Sequence, residues 1–289
     1  MSIQSLFARP AALPVVPKVV AQLVRSFERD DIAIDEIASR LAADPVLSAK
    51  MLRLANSAYF HVSRRVETVD DALRLLGFVM VRNLVLGLGV ANAFKPAPGV
   101  DLPQFWRHSV HTACAARWLA QAAGHDGELA FTVGLIHGLG HLVMHAVMGR
   151  DLASLDRLSP LLGAERAMAE RAALGYHHGD VGAELALRWR FPQTIAEPLR
   201  VVPAPAGADA APVAQLVHVA AWRARIEALR LPAGAIAAEC PHAVARRLGL
   251  QLAWLSEPAT LAVESIVGPR EVRHMPPLAQ LCGGLEAML

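Results

Sequence analysis

Apolar positions recur three and four residues apart along most of the chain, and none of it alternates strictly over a strand's length. That spacing predicts helices. After an extended lead-in at Leu13-Pro14-Val15-Val16-Pro17, a stripe of Val19, Val20, Leu23, Val24 and Phe27 marks the first helix. Ile34, Ile37, Ala38 and Leu41 mark a second. Asp44-Pro45 then reads as a helix start, since Asp can cap and Pro at the first helical position gives up no needed hydrogen bond. The helix it opens carries Leu47, Met51 and Leu54 on one face, with Lys50 and Arg53 beside it. Thr68-Val69-Asp70-Asp71 has the pattern of a capping box, and Gly77 of a helix end. Val79 to Phe94 is apolar nearly all round, as expected of a buried central helix.

Lys95-Pro96-Ala97-Pro98-Gly99 is a loop and the expected boundary between two lobes. Beyond it, helices are expected over Phe105 to Ala123, Glu128 to Met148, Glu165 to Leu174, Val181 to Arg190 and Val213 to Leu229. Val202 to Pro212 (VPAPAGADAAP) reads as a linker. The expectation is an all-α chain, divided into an N-terminal lead (1–12), an N-terminal helical lobe (13–99), a second helical lobe (100–230), and a C-terminal extension and tail (231–289).

Composition narrows the class. With 54% hydrophobic residues and a net charge of +2 over 289 residues, disorder is excluded. β-Branched and aromatic residues are too sparse for a sandwich. Mean hydropathy is high at +0.35, yet the most apolar stretch, Leu75 to Phe94, holds Arg82 and Asn83 near its middle. No uninterrupted apolar run of spanning length occurs. The N-terminus lacks an early basic cluster and is broken by prolines, unlike a signal peptide, so a cytoplasmic location without membrane insertion is expected. Cys114, Cys240 and Cys282 are isolated and odd in number, with no disulfide framework and no CxxC knuckle.

Histidines carry the candidate chemistry. His137, His141 and His145 fall at i, i+4 and i+8, which places them on one helix face. Such a pair can bind zinc, although no neighbouring carboxylate or thiol completes the set. A second candidate is basic: residues 50–95 hold seven Lys/Arg against three Asp/Glu. Arg53, Asn56, Arg64, Arg65 and Arg74 form a face that suits an acidic protein or a nucleotide. Alternatively, Asn56 caps its helix and Arg53 pairs with Asp44 or Asp71. Without aromatic residues interleaved among the arginines, a nucleic acid is not the expected partner.

Several motifs, in order, resemble the HDOD (HD-related output domain) family of bacterial signalling proteins. Asp44 to Phe60 (DPVLSAKMLRLANSAYF) resembles its DPxLxxxLLRLxNSAxF signature. Trp106-Arg107-His108-Ser109 resembles WRHS. His137-Gly138-Leu139-Gly140-His141 stands in the place of HDIGK, and Leu174 to Gly182 (LGYHHGDVG) fits LGxDHxxVG. The resemblance implies an N-terminal helical bundle packed on an HD-like lobe. By the same resemblance, His108, His137 and His178 keep three metal-ligand histidines of the related HD phosphohydrolases. The paired Asp is Gly138 here, and the distal Asp is Ala221. A pair of divalent ions depends on those carboxylates. What the resemblance implies is a non-enzymatic, stand-alone adaptor or output module acting through protein–protein contacts. It would have no cofactor beyond a single divalent metal. Its partners would be a sensor kinase, a response regulator or a cyclic-dinucleotide enzyme. The alternative is a metal-dependent phosphohydrolase acting on a phosphoester or nucleotide, with Asp180 or Glu184 in place of the missing carboxylates.

Overall fold

A computed structural model describes residues 2–8, 13–16, 21, 45–56, 65–205, 207, 210–250, 275–283 and 285. The two helices expected before Asp44, and Arg64, lie outside the described residues. Among those described, the regular elements are all α-helices.

Local chemistry explains the starts. α1 (Ile3–Phe7) follows Ser2, whose hydroxyl accepts the Ser5 amide at 3.1 Å. Phe7 is buried under the Arg188 guanidinium, 4.5 Å from its ring centroid. α2 (Pro45–Ala55) begins at the expected proline. α3 (Val69–Leu76) begins where Thr68 Oγ1 accepts the Asp71 amide at 3.0 Å, and it ends at Gly77 with φ of 75°. That left-handed backbone favours glycine. α4 (Phe78–Ala93) buries Val81, Val85, Leu86 and Val90, and Asn83 with them. Asn83 is satisfied there, because its Nδ2 donates to Glu128 at 2.8 Å and its Oδ1 accepts from Thr132 at 3.2 Å.

α5 (Leu102–Ala122) is the central post, capped by Asp101. It packs against α6 (Gly127–Ile136) on one side and against α11 (Pro212–Leu229) on another. α7 (Leu139–Leu158) packs on α9 (His178–Arg188), which in turn packs on α10 (Gln193–Val201). α8 (Arg166–Leu174) connects α7 to α9, and α12 (Ala233–Ala238) and α13 (His242–Arg247) follow α11. One hydrophobic core runs from Leu6 to Leu285. The tail contributes α14 (Leu278–Cys282) to it against α5, with Met275 and Leu278 buried. The segment 127–158 is long and apolar enough to cross a membrane, but 89% of that apolar window is buried inside the fold.

Two expectations are corrected. The single helix expected over 128–148 is two helices, broken at His137-Gly138, and the second continues past a kink at Met148 to Leu158. His137 is therefore on neither the helix nor the face of His141 and His145. α10 fills sequence that carried no helical expectation, despite Pro198 within it.

Candidate functional site

The break at His137-Gly138 points two helix ends into one cavity of about 340 Å³. His108 comes from α5, His137 from the end of α6, His141 from the start of α7, His178 from the start of α9 and His218 from α11, and all five line it. The three histidines singled out by family resemblance thus share a cavity, joined by two that were not.

Three of the five rings are held by backbone carbonyls. His137 Nδ1–H donates to the Gly134 carbonyl at 2.6 Å, and His218 Nδ1–H to Val202 at 2.8 Å. His108 Nε2–H donates to the Ala221 carbonyl at 3.2 Å. A carbonyl has no proton to give, so in each case the ring nitrogen is the donor. Burial pushes His137 down to about 4, against the opposing pull of Gly134. Burial, then the nearby His178, brings His141 to about 3. His108 is lowered well below its ordinary value by burial and then by His137. His218 is lowered by burial against its Val202 bond. These four are neutral at pH 7.

Beneath the cavity lies a carboxylate that the motifs did not reveal. Glu170, on α8, is fully buried and takes His178 Nδ1–H at 2.7 Å and the His178 backbone N–H at 2.8 Å on Oε2. Its Oε1 accepts Arg166 Nε–H at 2.7 Å and lies 3.3 Å from His141 Nδ1. The two imidazoles stack above it, with ring centroids 3.7 Å apart and planes at 23°. Arg166 is itself 1% exposed and also binds Asp156 at 2.8 Å and the Ser159 carbonyl at 2.6 Å, while Asp156 meets His145 at 3.2 Å. Burial alone would raise the Glu170 carboxyl, but His178 and His141 on its two oxygens draw it well below the usual range. His141, Glu170 and His178 offer ligand atoms within 4.8 Å of one another, the one such group among the described residues. An ion there would have to displace the Arg166 and His178 hydrogen bonds, and Glu170 does not line the cavity.

Asp180 and Glu184 do not supply the missing carboxylates. Asp180 accepts from the His177 amide at 3.0 Å and from Arg171 at 2.9 Å, as the third-position partner of the N-cap His177 in the capping box of α9. Glu184 pairs with Arg188 on an exposed face. Where resemblance expects the paired Asp, a Cβ on Gly138 would lie 2.9 Å from Phe105 Cε2 and 3.0 Å from Cζ, so the buried phenyl ring holds that space. Where it expects the distal Asp, Ala221 offers His108 a backbone carbonyl. Two glutamates do line the cavity, but Glu239 is bound by Arg225 at 2.8 Å and Glu165 is exposed just before α8, so the residues at the expected positions do not fit a pair of divalent ions, which need anionic oxygens facing the cavity.

Gly140 sets the distance between His141 and His178. A Cβ there would run into the His178 carbonyl and come within 2.9 Å of the Gly182 amide nitrogen, so α7 and α9 touch backbone to backbone. Gly140→Ala should cost about 3 kcal/mol as the helices part, read as a lower urea midpoint. An unchanged midpoint would mean that the contact relaxes freely.

The basic candidates separate. Arg53, Asn56 and Arg65 line a second groove, with both arginines exposed. Arg74 is exposed in the last turn of α3, outside that groove, and Arg64 lies outside the described residues. Asn56 is structural: its Nδ2 donates to the Leu52 carbonyl at 2.7 Å and the Val66 carbonyl at 2.8 Å, and its Oδ1 accepts the Val66 amide at 2.8 Å.

The sequence matches the family model described as HDOD domain over residues 13–205. A Shewanella amazonensis SB2B crystal structure, provisionally named a phosphohydrolase, is 30% identical, with a TM-score of 0.67 over 84% of this chain and 86% of that one. A Marinobacter aquaeolei VT8 structure, provisionally named a signal transduction protein, is 24% identical and shares the fold. Its TM-score is 0.66 over 86% of this chain and 56% of that one. An uncharacterized protein of Treponema pallidum (strain Nichols) is 24% identical over 190 residues, 65% of this chain. The chain spans 37% of that curated relative's length.

Proposed function

The chain belongs to the HDOD domain family, and from that premise we propose that it is a cytoplasmic signalling module acting through protein partners rather than by hydrolysis. The observation that carries the reading is the Phe105 ring, which stands against the Cβ that any side chain at position 138 would bring. Two others support it: a carbonyl at Ala221 where resemblance expects a second carboxylate, and Glu170 bound to Arg166 and His178 outside the cavity. Neutral imidazoles alone anchor a metal without supplying the charge that activates a water between two ions. The phosphohydrolase name of the Shewanella relative belongs to that protein, and its transfer here would need the carboxylates. Partners of the signalling class, a sensor kinase, a response regulator or a cyclic-dinucleotide enzyme, fit the family and the exposed Arg53 and Arg65 as a basic contact face.

The test is a phosphodiesterase assay on bis(p-nitrophenyl) phosphate and cyclic dinucleotides with added Mn²⁺ or Mg²⁺, beside elemental mass spectrometry of the tag-free protein. No turnover above His137→Ala and less than stoichiometric metal are expected. Hydrolysis that His137→Ala abolishes would overturn the reading.

A further inference from the structure

Asn56 shapes the short segment that leads into α3. Its amide takes both backbone groups of Val66: Nδ2–H donates to the Val66 carbonyl at 2.8 Å, and Oδ1 accepts the Val66 N–H at 2.8 Å. An extended residue turns its N–H and C=O to the same side, so the Asn56 side chain stands in for one partner strand. Thr68 is extended as well, with φ of −115° and ψ of 152°. Along an extended segment these backbone groups alternate between the two edges. Those of Arg65 and Glu67 therefore face away from Asn56. None of these four groups has a hydrogen-bond partner among the described residues, and both residues are exposed.

Charge limits what can pair with this open edge. Arg65 and Glu67 lie two residues apart, so their side chains share one face and Val66 takes the other. An antiparallel strand must bring an acid opposite Arg65, a base opposite Glu67 and an uncharged residue between them. Read from its own N-terminus, that partner is base, apolar, acid. Arg65-Val66-Glu67 is itself that sequence. With a twofold axis through Val66, Arg65 of each copy stands opposite Glu67 of the other. The same register makes these the hydrogen-bonded pairs, so every open backbone group of Arg65 and Glu67 is satisfied. It also sets the two Val66 side chains next to each other.

We propose that a second copy of this chain docks on this edge, by an isologous antiparallel pairing of Arg65-Val66-Glu67 centred on Val66. The contact is small beside the interfaces of permanent dimers, so the assembly is weak and forms reversibly with concentration. Arg65 belongs to the basic contact face too, so self-pairing and an acidic partner exclude each other there. The inference goes beyond the functional reading and holds whether or not the cavity hydrolyses anything.

Sedimentation velocity on the full chain, from micromolar to near-millimolar concentration, tests it. The parent chain should move from monomer toward dimer across that range. Arg65→Glu and Glu67→Arg each set like charges opposite each other twice, and each should weaken self-association roughly tenfold. Both side chains are exposed, so melting temperatures should not change. Mixed in equal amounts, the two variants have complementary edges and should dimerise together. The exchanged variant carrying both Arg65→Glu and Glu67→Arg should self-associate like the parent. Hydrogen exchange reads the backbone directly: the Arg65 and Glu67 amides should exchange fast in dilute solution and slow as the dimer forms. A chain that stays monomeric, a dimer indifferent to both charge reversals, or a mixture that fails to pair would overturn the proposal. So would a monomer that takes up polyglutamate through Arg65, which would make the edge a contact for another protein.

Discussion

Taken from pH 7.5 to pH 5, the chelated protein should lose at least about 4 kcal/mol of stability, most of what holds a marginal domain folded. The cause is the set of buried neutral imidazoles. His137 is held at about 4 and His141 at about 3, with His108 also well below the value of 6.5 that the unfolded chain would show. Between 6.5 and those values the unfolded chain binds protons that the folded chain refuses, so stability falls as pH falls. Above 6.5 both states are neutral and the contribution is flat. At pH 5 the solution is about 1.5 units below the free value, which costs about 2 kcal/mol for each of His137 and His141, and His108 adds to the loss in the same direction. Below about 4.5, Glu170 adds to the loss in the same direction, because its folded carboxyl is held low. Urea denaturation across this range should show a midpoint that drops steadily below pH 6.5, with net proton uptake on unfolding. A midpoint constant down to pH 5 would mean that these rings are solvated.

Glu170→Leu should cost about 3–5 kcal/mol, since it leaves Arg166, 1% exposed, with Asp156 as its one remaining carboxylate and takes the acceptor from the His178 amide and ring. The penalty comes from buried donors left short of acceptors more than from the lost pair. Replacing both ends, Arg166→Met with Glu170→Leu, should therefore destabilise less than the single change, because a buried ion pair seldom outweighs a well-packed apolar one. Denaturant midpoints of the two variants and of Arg166→Met alone form the cycle that checks this. If the double variant is the weakest of the three, the pair contributes more than its desolvation costs.

Much of the helical layout was legible because its signals are local. Pro45, Thr68 and Gly77 act through their own backbones, and the structure places a helix boundary at each. The break at His137-Gly138 was not, since apolar residues surround both halves and the helical period runs through the turn unchanged. His108, His137 and His178 could be found through motif resemblance. Glu170 could not: Arg166 and Glu170 stand at i and i+4 in a charged stretch, the spacing of an ordinary solvent-facing pair. Only the packing of α8 beneath α7 and α9 turns that pair inward. His218 was invisible for a related reason, because nothing in its own segment says that α11 closes the cavity from the far side.

The ring of Phe105 beside Gly138 also governs which sequences lie within a single step of this one. An aspartate at 138 alone meets Cε2 and Cζ of a phenyl that is 2% exposed and set edge-on against Trp106 at 5.1 Å. Shrinking Phe105 first empties a packed site, at about 3–5 kcal/mol. Changing Ala221 to aspartate first puts an uncompensated carboxylate into a cavity wall. Positions 105 and 138 can therefore change only together, so this wall of the cavity is fixed by packing as firmly as by chemistry.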